Sequence, residues 1–288
     1  MSSPSETVTP TLLREWALPS AGDDKYSRGR VVVVGGARKT PGAAMLAGLA
    51  ALRVGAGHMT LAVAESVAVQ VAVAVPEFGV IGLRETPSGS VRGDAGSELA
   101  DAVAGADAVL VGPGLDDPDQ AAALLQNLAE MLGQETQLVL DAYALGVLPG
   151  LPQMYEPLRG RLVLTPNSGE AERLLGTELG DLEDDVSTLA DRFGAAVTCD
   201  NAIADMDGRQ WLVSTGHVGL ASSGSGDVLA GAVTGLLARG AGRGQAACWG
   251  THLHASAGDR LAARVGPLGF LARELLDELP LELVQLHA

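Results

Sequence analysis

The pattern that most constrains this chain is a repeated unit: a short β-branched run ends in glycine and leads into a helix of small residues. RVVVVGG, from Arg30 to Gly36, runs into TPGAAMLAGLAALRVGAG, with Thr40 as N-cap and Pro41 at the first helical position. Gly55 and Gly57 end that helix and HMTLAVA opens the next strand, completing a βαβ unit. ESVAVQVAVAV fits strand or helix by alternation alone; a parallel sheet needs a crossover here, so it is predicted helical, closed by Pro76. The alternation recurs with ADAVLVGPG as strand and turn, Asp119 to Gly133 as helix, QLVLD and RLVLT as strands and SGEAERLLG as helix. After Gly194, AAVTC, AIADMDG and QWLVS read as short strands around an Asp-Gly turn, followed by helices from Ser225, from Gln245 and from Gly269. This order specifies an α/β fold with a mostly parallel, doubly wound sheet flanked by helices, and ligands at the carboxyl ends of its strands.

The 288 residues, 47% of them hydrophobic, suffice for one core, and no linker or repeat divides them. Residues 1–22, rich in Pro, Ser, Thr and acids, read as a poorly ordered N-terminal segment ahead of a single domain at 23–288. A net charge of -16 leaves no basic face for a nucleic acid, and an aromatic share of 3% leaves no stacking platform. An anionic ligand must therefore be held by backbone amides and helix ends. The acids between Glu178 and Asp191 read as a solvated helix face. Cys199 and Cys248 lack disulfide or metal-ligand spacing and read as buried thiols of a reducing cytoplasm. No run approaches the ~18 apolar residues of a membrane span, and residues 1–22 lack the apolar core of an export signal.

Four places carry candidate chemistry. In GLASSGSGDVLAGAVTGLLARG, Gly224, Ser225 and Gly226 can bring backbone N–H groups against a phosphate at the start of a helix. Asp227, in that first turn, either complements the helix dipole or serves as a base toward a substrate hydroxyl. In TPNSGEAERLLG, Asn167 and Glu170 have capping-box spacing, and at a strand's carboxyl end Glu170 could equally orient magnesium and its waters. VGPGL, Val111 to Leu115, reads as a tight turn or a backbone approach to ligand, and Asp141, ending QLVLD, as a ligand-edge acid or a cap. His252 and His254 fall on different helix faces and His58, His217 and His287 are isolated, so the histidines form no metal site. GGARKTPG lacks the GxGxxG of a dinucleotide fold.

Taken together, KYSRGRVVVVGG, TPGAAMLAGLAALRVGAG, VLVGPGL, VLDAYAL, LTPNSGEAERLLG, GLASSGSGDVLAGAVTGLLARG and GPLGFLARELLDELP resemble, in order, the NAD(P)H-hydrate dehydratase family of the ribokinase-like superfamily, from about residue 20 onward. The resemblance implies a three-layer ribokinase-like fold. It also implies an enzyme that phosphorylates the ring hydroxyl of (S)-NADHX or (S)-NADPHX with ADP or ATP and Mg2+ and then eliminates phosphate; bacterial members typically use ADP. By position, Ala43, Gly114 and Asn167 would lie near the hydrated nicotinamide, Gly226 would contact nucleotide, and Asp227 would be the acid at the reacting hydroxyl. A homo-oligomer is implied as well.

The chain departs from the family pattern. Asn167 and Ser168 stand for the usual His-Pro, Tyr143 for a second aspartate, and Ser223, Gly224 and Ser225 for Gly-Gly-Thr. Where the family has a nucleotide-binding Lys-Gly pair, this chain reads VTCDNA, which makes Asp200 and Asn201 the nucleotide-loop residues and sets a repelling carboxylate near ADP. Two other readings stay open: a kinase of a small hydroxylated metabolite, suggested by TPN followed by Glu170, and a non-catalytic nucleotide-binding homologue, suggested by VTCDNA.

Overall fold

The computed structural model describes residues 5–20 and 22–287. Its strands are β1 (Glu6–Val8), β2 (Arg30–Val34), β3 (His58–Ala64), β4 (Gly79–Leu83), β5 (Ala108–Val111), β6 (Gln137–Leu140), β7 (Leu162–Leu164), β8 (Ala195–Cys199), β9 (Ala202–Asp205) and β10 (Gln210–Val213). Its helices are α1 (Pro10–Glu15), α2 (Pro41–Arg53), α3 (Glu65–Ala74), α4 (Ala100–Ala104), α5 (Pro118–Ala129), α6 (Tyr143–Val147), α7 (Pro152–Tyr155), α8 (Ser168–Leu175), α9 (Leu182–Phe193), α10 (Ser225–Ala238), α11 (Arg243–Arg264) and α12 (Ala272–Leu286).

The strands form one sheet in the order β1-β10-β9-β8-β7-β6-β5-β2-β3-β4. Every pairing is parallel except those of β9, which runs against β8 and β10. Period-two alternation sends successive side chains to opposite faces. Val31 and Val33 join the core under α2, α10, α11 and α12, while Val32 and Val34 join the core under α4, α5, α6, α8 and α9. The predicted doubly wound sheet is thus present with a helical layer on each side. α3 is helical, as the crossover requires. The acids at the start of α9 are carried on a helix that buries Val186, Leu189, Ala190 and Phe193 on its other side.

One expectation needs correction. It concerns residues 1–22: Glu6–Val8 pairs with β10, and Trp16 stacks on Trp211 at 5.7 Å while its carbonyl accepts from Gln245 Nε2 and Trp249 Nε1. Val8 and Leu13 are buried, so residues 5–20 cover an edge the sheet would otherwise expose; residues 1–4 and 21 lie outside the described residues. β4 is a short edge strand that the sequence did not announce, since GVIGL has too little periodicity. Thr40 occupies the N-cap position of α2, as expected, with its hydroxyl turned to donate to Gly114 O at 2.8 Å.

α2 and α10 are parallel neighbours whose separation is set by glycine. A Cβ on Gly231 would lie 2.0 Å from Ala47 O, and one on Gly235 would lie 2.5 Å from Ala51 O. Both contacts are with backbone, which cannot move aside as a flexible side chain could. Gly231→Ala is expected to cost about 3 kcal/mol through overpacking. Gly226→Ala, whose Cβ meets nothing within 4 Å, should change stability by less than about 0.5 kcal/mol. Urea unfolding of the two variants checks this, and equal midpoints would contradict it.

Candidate functional site

Because β2, β5, β6, β7, β8 and β10 point the same way, the turns that follow them gather on one edge of the sheet. The chain leaves β2 toward β3 on one side and reaches β5 on the other, so the crevice of such a sheet lies between β2 and β5. There two glycine turns interlock: Gly36 N donates to Pro113 O and Ala37 N to Gly114 O, each at 2.8 Å. Gly114 has φ of +73° and leaves no room for a Cβ, which would meet Thr40 O at 2.3 Å. Gly114 therefore lies against the residues that open α2, one turn before Ala43.

The α2–α10 contact continues into this crevice. Gly231 meets Ala47 and Gly235 meets Ala51, so one further turn of four residues sets Asp227 opposite Ala43. Leu46 of α2 also lies 2.7 Å from where a Cβ on Gly224 would be, and Asp227 Oδ2 lies 3.9 Å from it. Gly114 thus lies against Thr40 at the start of α2, and Gly224, three residues before Asp227, lies against Leu46 of the same helix.

Beside them opens a cleft of about 800 Å³ lined by Asn167, Asp200, Asn201, Ser225, Gly226 and His254 among others, a volume suited to a small ligand. Gly226 is exposed to it at the first turn of α10, which has no side-chain cap, and Gly224 precedes it with φ of +90°. Ser225 is committed internally: its amide donates to Ser222 O at 3.2 Å and its hydroxyl lies 2.9 Å from His254 Nε2. The Ser225 amide is therefore taken, and the cradle is left to the amides on either side of it. Asp200 and Asn201 are the two-residue turn between β8 and β9, and Asp200 has φ of +51°, a conformation that favours glycine. Ser168 Oγ donates to Asp200 Oδ2 at 2.6 Å.

The capping box is formed, with Asn167 Oδ1 accepting from Glu170 N at 2.9 Å and Glu170 Oε2 accepting from Asn167 N at 3.0 Å. Two further acids feel Glu170. Burial, then the charge of Glu170, raises Asp227 to about 6. Burial, then Asp227 and then Glu170, raises Asp141 to about 8, although Thr165 Oγ1 donates to it at 2.9 Å. Asp141 is thus a buried neutral acid behind an ionisable one. Among the described residues no group of three His, Cys, Asp or Glu side chains could enclose a metal ion. The carboxylates and amide oxygen present do suit Mg2+, which keeps most of its waters and binds through one or two carboxylates plus ligand phosphates.

Sequence reasoning missed His254, which is buried on α11 and reaches the start of α10; its signal was a His three residues after Thr251, on the same side of the helix. His252 is buried on another face of the same helix, with Ser256 Oγ 3.4 Å from its Nε2. Both cysteines are buried, and burial pushes the Cys199 thiol up to about 12 and raises Cys248 further.

The raised acids have a cost. Asp141 and Asp227 hold protons in the folded state well above the ordinary value of 3.8, so the folded chain binds more protons than the unfolded one up to about pH 8. That contribution is present at low pH and is lost as pH rises through about 6 and about 8, at up to about 1.4 kcal/mol per pH unit per group. Asp141→Asn keeps an acceptor for Thr165 and removes the larger part of this loss. Thermal unfolding at pH 5 and pH 8 should show the variant gaining on the wild type as pH rises; parallel profiles would contradict it.

The sequence model of the NAD(P)H-hydrate dehydratase family matches residues 31–281. An ADP-dependent (S)-NAD(P)H-hydrate dehydratase of Xanthomonas campestris is 43% identical over 282 residues, covering 95% of this chain and 94% of its own. The chain spans about half the length of the bifunctional NAD(P)H-hydrate repair enzymes it matches. Among solved structures, the Bacillus subtilis ADP/ATP-dependent NAD(P)H-hydrate dehydratase co-crystallized with ATP/Mg2+ and soaked with CoA superposes with a TM-score of 0.78 at 25% identity, covering 99% of this chain and 100% of that one. A ribokinase-like superfamily protein of Enterococcus faecalis superposes with a TM-score of 0.84 at 23% identity over 98% and 96% of the two chains, which establishes the ribokinase-like fold. A match over most of the chain, with a full-length relative, means that this chain belongs to the NAD(P)H-hydrate dehydratase family.

Proposed function

We propose that this chain repairs hydrated nicotinamide cofactors, dehydrating (S)-NADHX or (S)-NADPHX to NADH or NADPH with ADP, or ATP, as phosphoryl donor. The observation that supports this reading is Asp227, an acid that burial and Glu170 raise to about 6, in the first turn of α10 directly after Gly226 of the open cleft. Substrate would bind with its hydrated ring by Ala43, Gly114 and Asn167. The nucleotide would occupy the cleft, against Gly224, Gly226, Asp200 and Asn201, with Ser225 supporting the turn from behind. Ionised Asp227 accepts the proton of the ring hydroxyl as its oxygen attacks the terminal phosphorus of the nucleotide, whose shortened form leaves. The amides of Gly226 and Asp227, at the positive end of α10, stabilise charge on the migrating phosphoryl group. Loss of phosphate with a neighbouring ring proton then restores the double bond.

Magnesium, when bound, would offset phosphate charge, and Glu170 and Asp227 are the residues that would hold it through its waters. The neutral state of Asp141 keeps a further negative charge away from these anions. Asp200 is the feature least favourable to nucleotide, and its bond to Ser168 softens the repulsion. The cytoplasm and a homo-oligomeric state complete the proposal, the first supported by two buried free thiols and by the lack, among the described residues, of any helix long and apolar enough to cross a membrane.

Recovery of reduced-nicotinamide absorbance from purified hydrate, with magnesium and either ADP or ATP, tests the activity. Asp227→Asn is expected to fold and to lose about 100- to 10,000-fold in kcat; retained turnover would remove Asp227 from the reaction. The wild-type rate should rise with pH through about 6, as Asp227 ionises. Asp200→Gly, which removes a charge and suits φ of +51°, should tighten ADP binding about fivefold by calorimetry. Unchanged affinity would show that the β8–β9 turn lies off the nucleotide.

A further inference from the structure

One face of α11 holds both walls of the cleft. Thr251 and His254, one turn apart, line it together. Thr251 Oγ1 shares a 2.7 Å hydrogen bond with Thr198 Oγ1, two residues before Asp200 on the nucleotide turn. His254 Nε2 lies 2.9 Å from Ser225 Oγ, the first residue of α10. Both bonds are buried, so neither competes with water. Burial also pushes the His254 imidazole down to about 4, which keeps it neutral through the working range.

The bond to Ser225 matters because, among the described residues, no other side-chain hydrogen bond secures the start of α10. Gly224, the N-cap, has φ of +90° and no side chain, and no side chain caps the helix. Gly226 is exposed, and a Cβ there would touch nothing within 4 Å. Between these two glycines, neither of which offers a side chain to bond, Ser225 is the residue gripped from both sides, by Ser222 O at its amide and by His254 at its hydroxyl. Asp227 follows two residues later.

We propose that His254 is a positioning residue for the reaction: through Ser225 it fixes the first turn of α10, and so holds the amides of Gly226 and Asp227 and the Asp227 carboxyl in their working orientation. This rests on the reading of Asp227 as the acid at the reacting hydroxyl. His254 takes no proton from substrate and makes no contact with the reacting atoms. Its role is geometric, and small misplacements of a reacting group are costly.

The test compares His254→Leu, His254→Gln, Ser225→Ala and the double variant His254→Leu/Ser225→Ala in the dehydration assay, with ADP-induced thermal shift read in parallel. His254→Leu should lower kcat about 30-fold while KM for the hydrate stays within about threefold. His254→Gln, whose amide can reach Ser225 Oγ, should recover to within about threefold of wild type. The double variant should be no worse than His254→Leu alone, as two ends of one interaction require. Wild-type kcat in His254→Leu, or equal impairment of the Leu and Gln variants beside an unimpaired Ser225→Ala, overturns the proposal. If His254→Leu does not fold, Ser225→Ala carries the test, and an unchanged kcat there overturns it. If the wild type itself turns over no hydrate, the dehydratase reading fails separately. The ADP-induced shift then decides, diminished by His254→Leu and restored by His254→Gln if the link holds, and unaffected by either if it does not.

Discussion

The site depends on how closely two helices approach. Gly231 and Gly235 of α10 leave no room for a Cβ against the carbonyls of Ala47 and Ala51, and that contact sets both the distance between the helices and their register. Since both helices start at the carboxyl edge of the sheet, their register also decides what meets at their first turns. One turn earlier it sets Asp227 by Ala43, with Gly114 reaching the same point from the loop after β5. Larger residues at the contact would carry the two helix starts apart and the acid away from the crevice. The small side chains of this sequence are therefore the means by which residues nearly two hundred positions apart form one site.

The second constraint is charge. The chain carries a net charge of -16, and neither lysine nor arginine lines its cleft. On the proposed reading, backbone amides at the start of α10 would take the place of a cation there. Burial raises Asp141 to about 8, and Asp200 accepts a hydrogen bond from Ser168. Keeping Asp141 and Asp227 in a desolvated pocket sacrifices stability as pH rises, a common bargain where an active site needs a carboxyl of raised affinity for protons.

Much of this was legible in the sequence because it is local. Strand runs closed by glycine announced the sheet and its parallel sense, and Asn167 with Glu170 announced a capping box that forms as its spacing implies. The start of α10 at Ser225 followed from its glycines. Thr40 stands at the N-cap as its spacing implies, but spacing cannot reveal that Gly114, seventy-four residues on, would take its hydroxyl. The residues at 5–20 were misread for a similar reason: their order comes from β10, Trp211 and α11, and their own composition carries little of it. His254 was passed over because a lone histidine on a helix has no local signature of a partner on another helix.

What the sequence determined by itself were the short-range terms: strand and helix periodicity, caps, turns at glycine, and a composition that rules out a nucleic-acid surface. What only the tertiary structure decided were the meetings between distant elements. Ala43 with Asp227, Asp141 behind Asp227, Asp200 with Ser168 and His254 with Ser225 all depend on close packing across the sheet edge. A residue's partners within a turn are fixed by backbone geometry, whereas its partners across the fold, and the proton affinity that burial among them confers, exist only once the chain has closed around it.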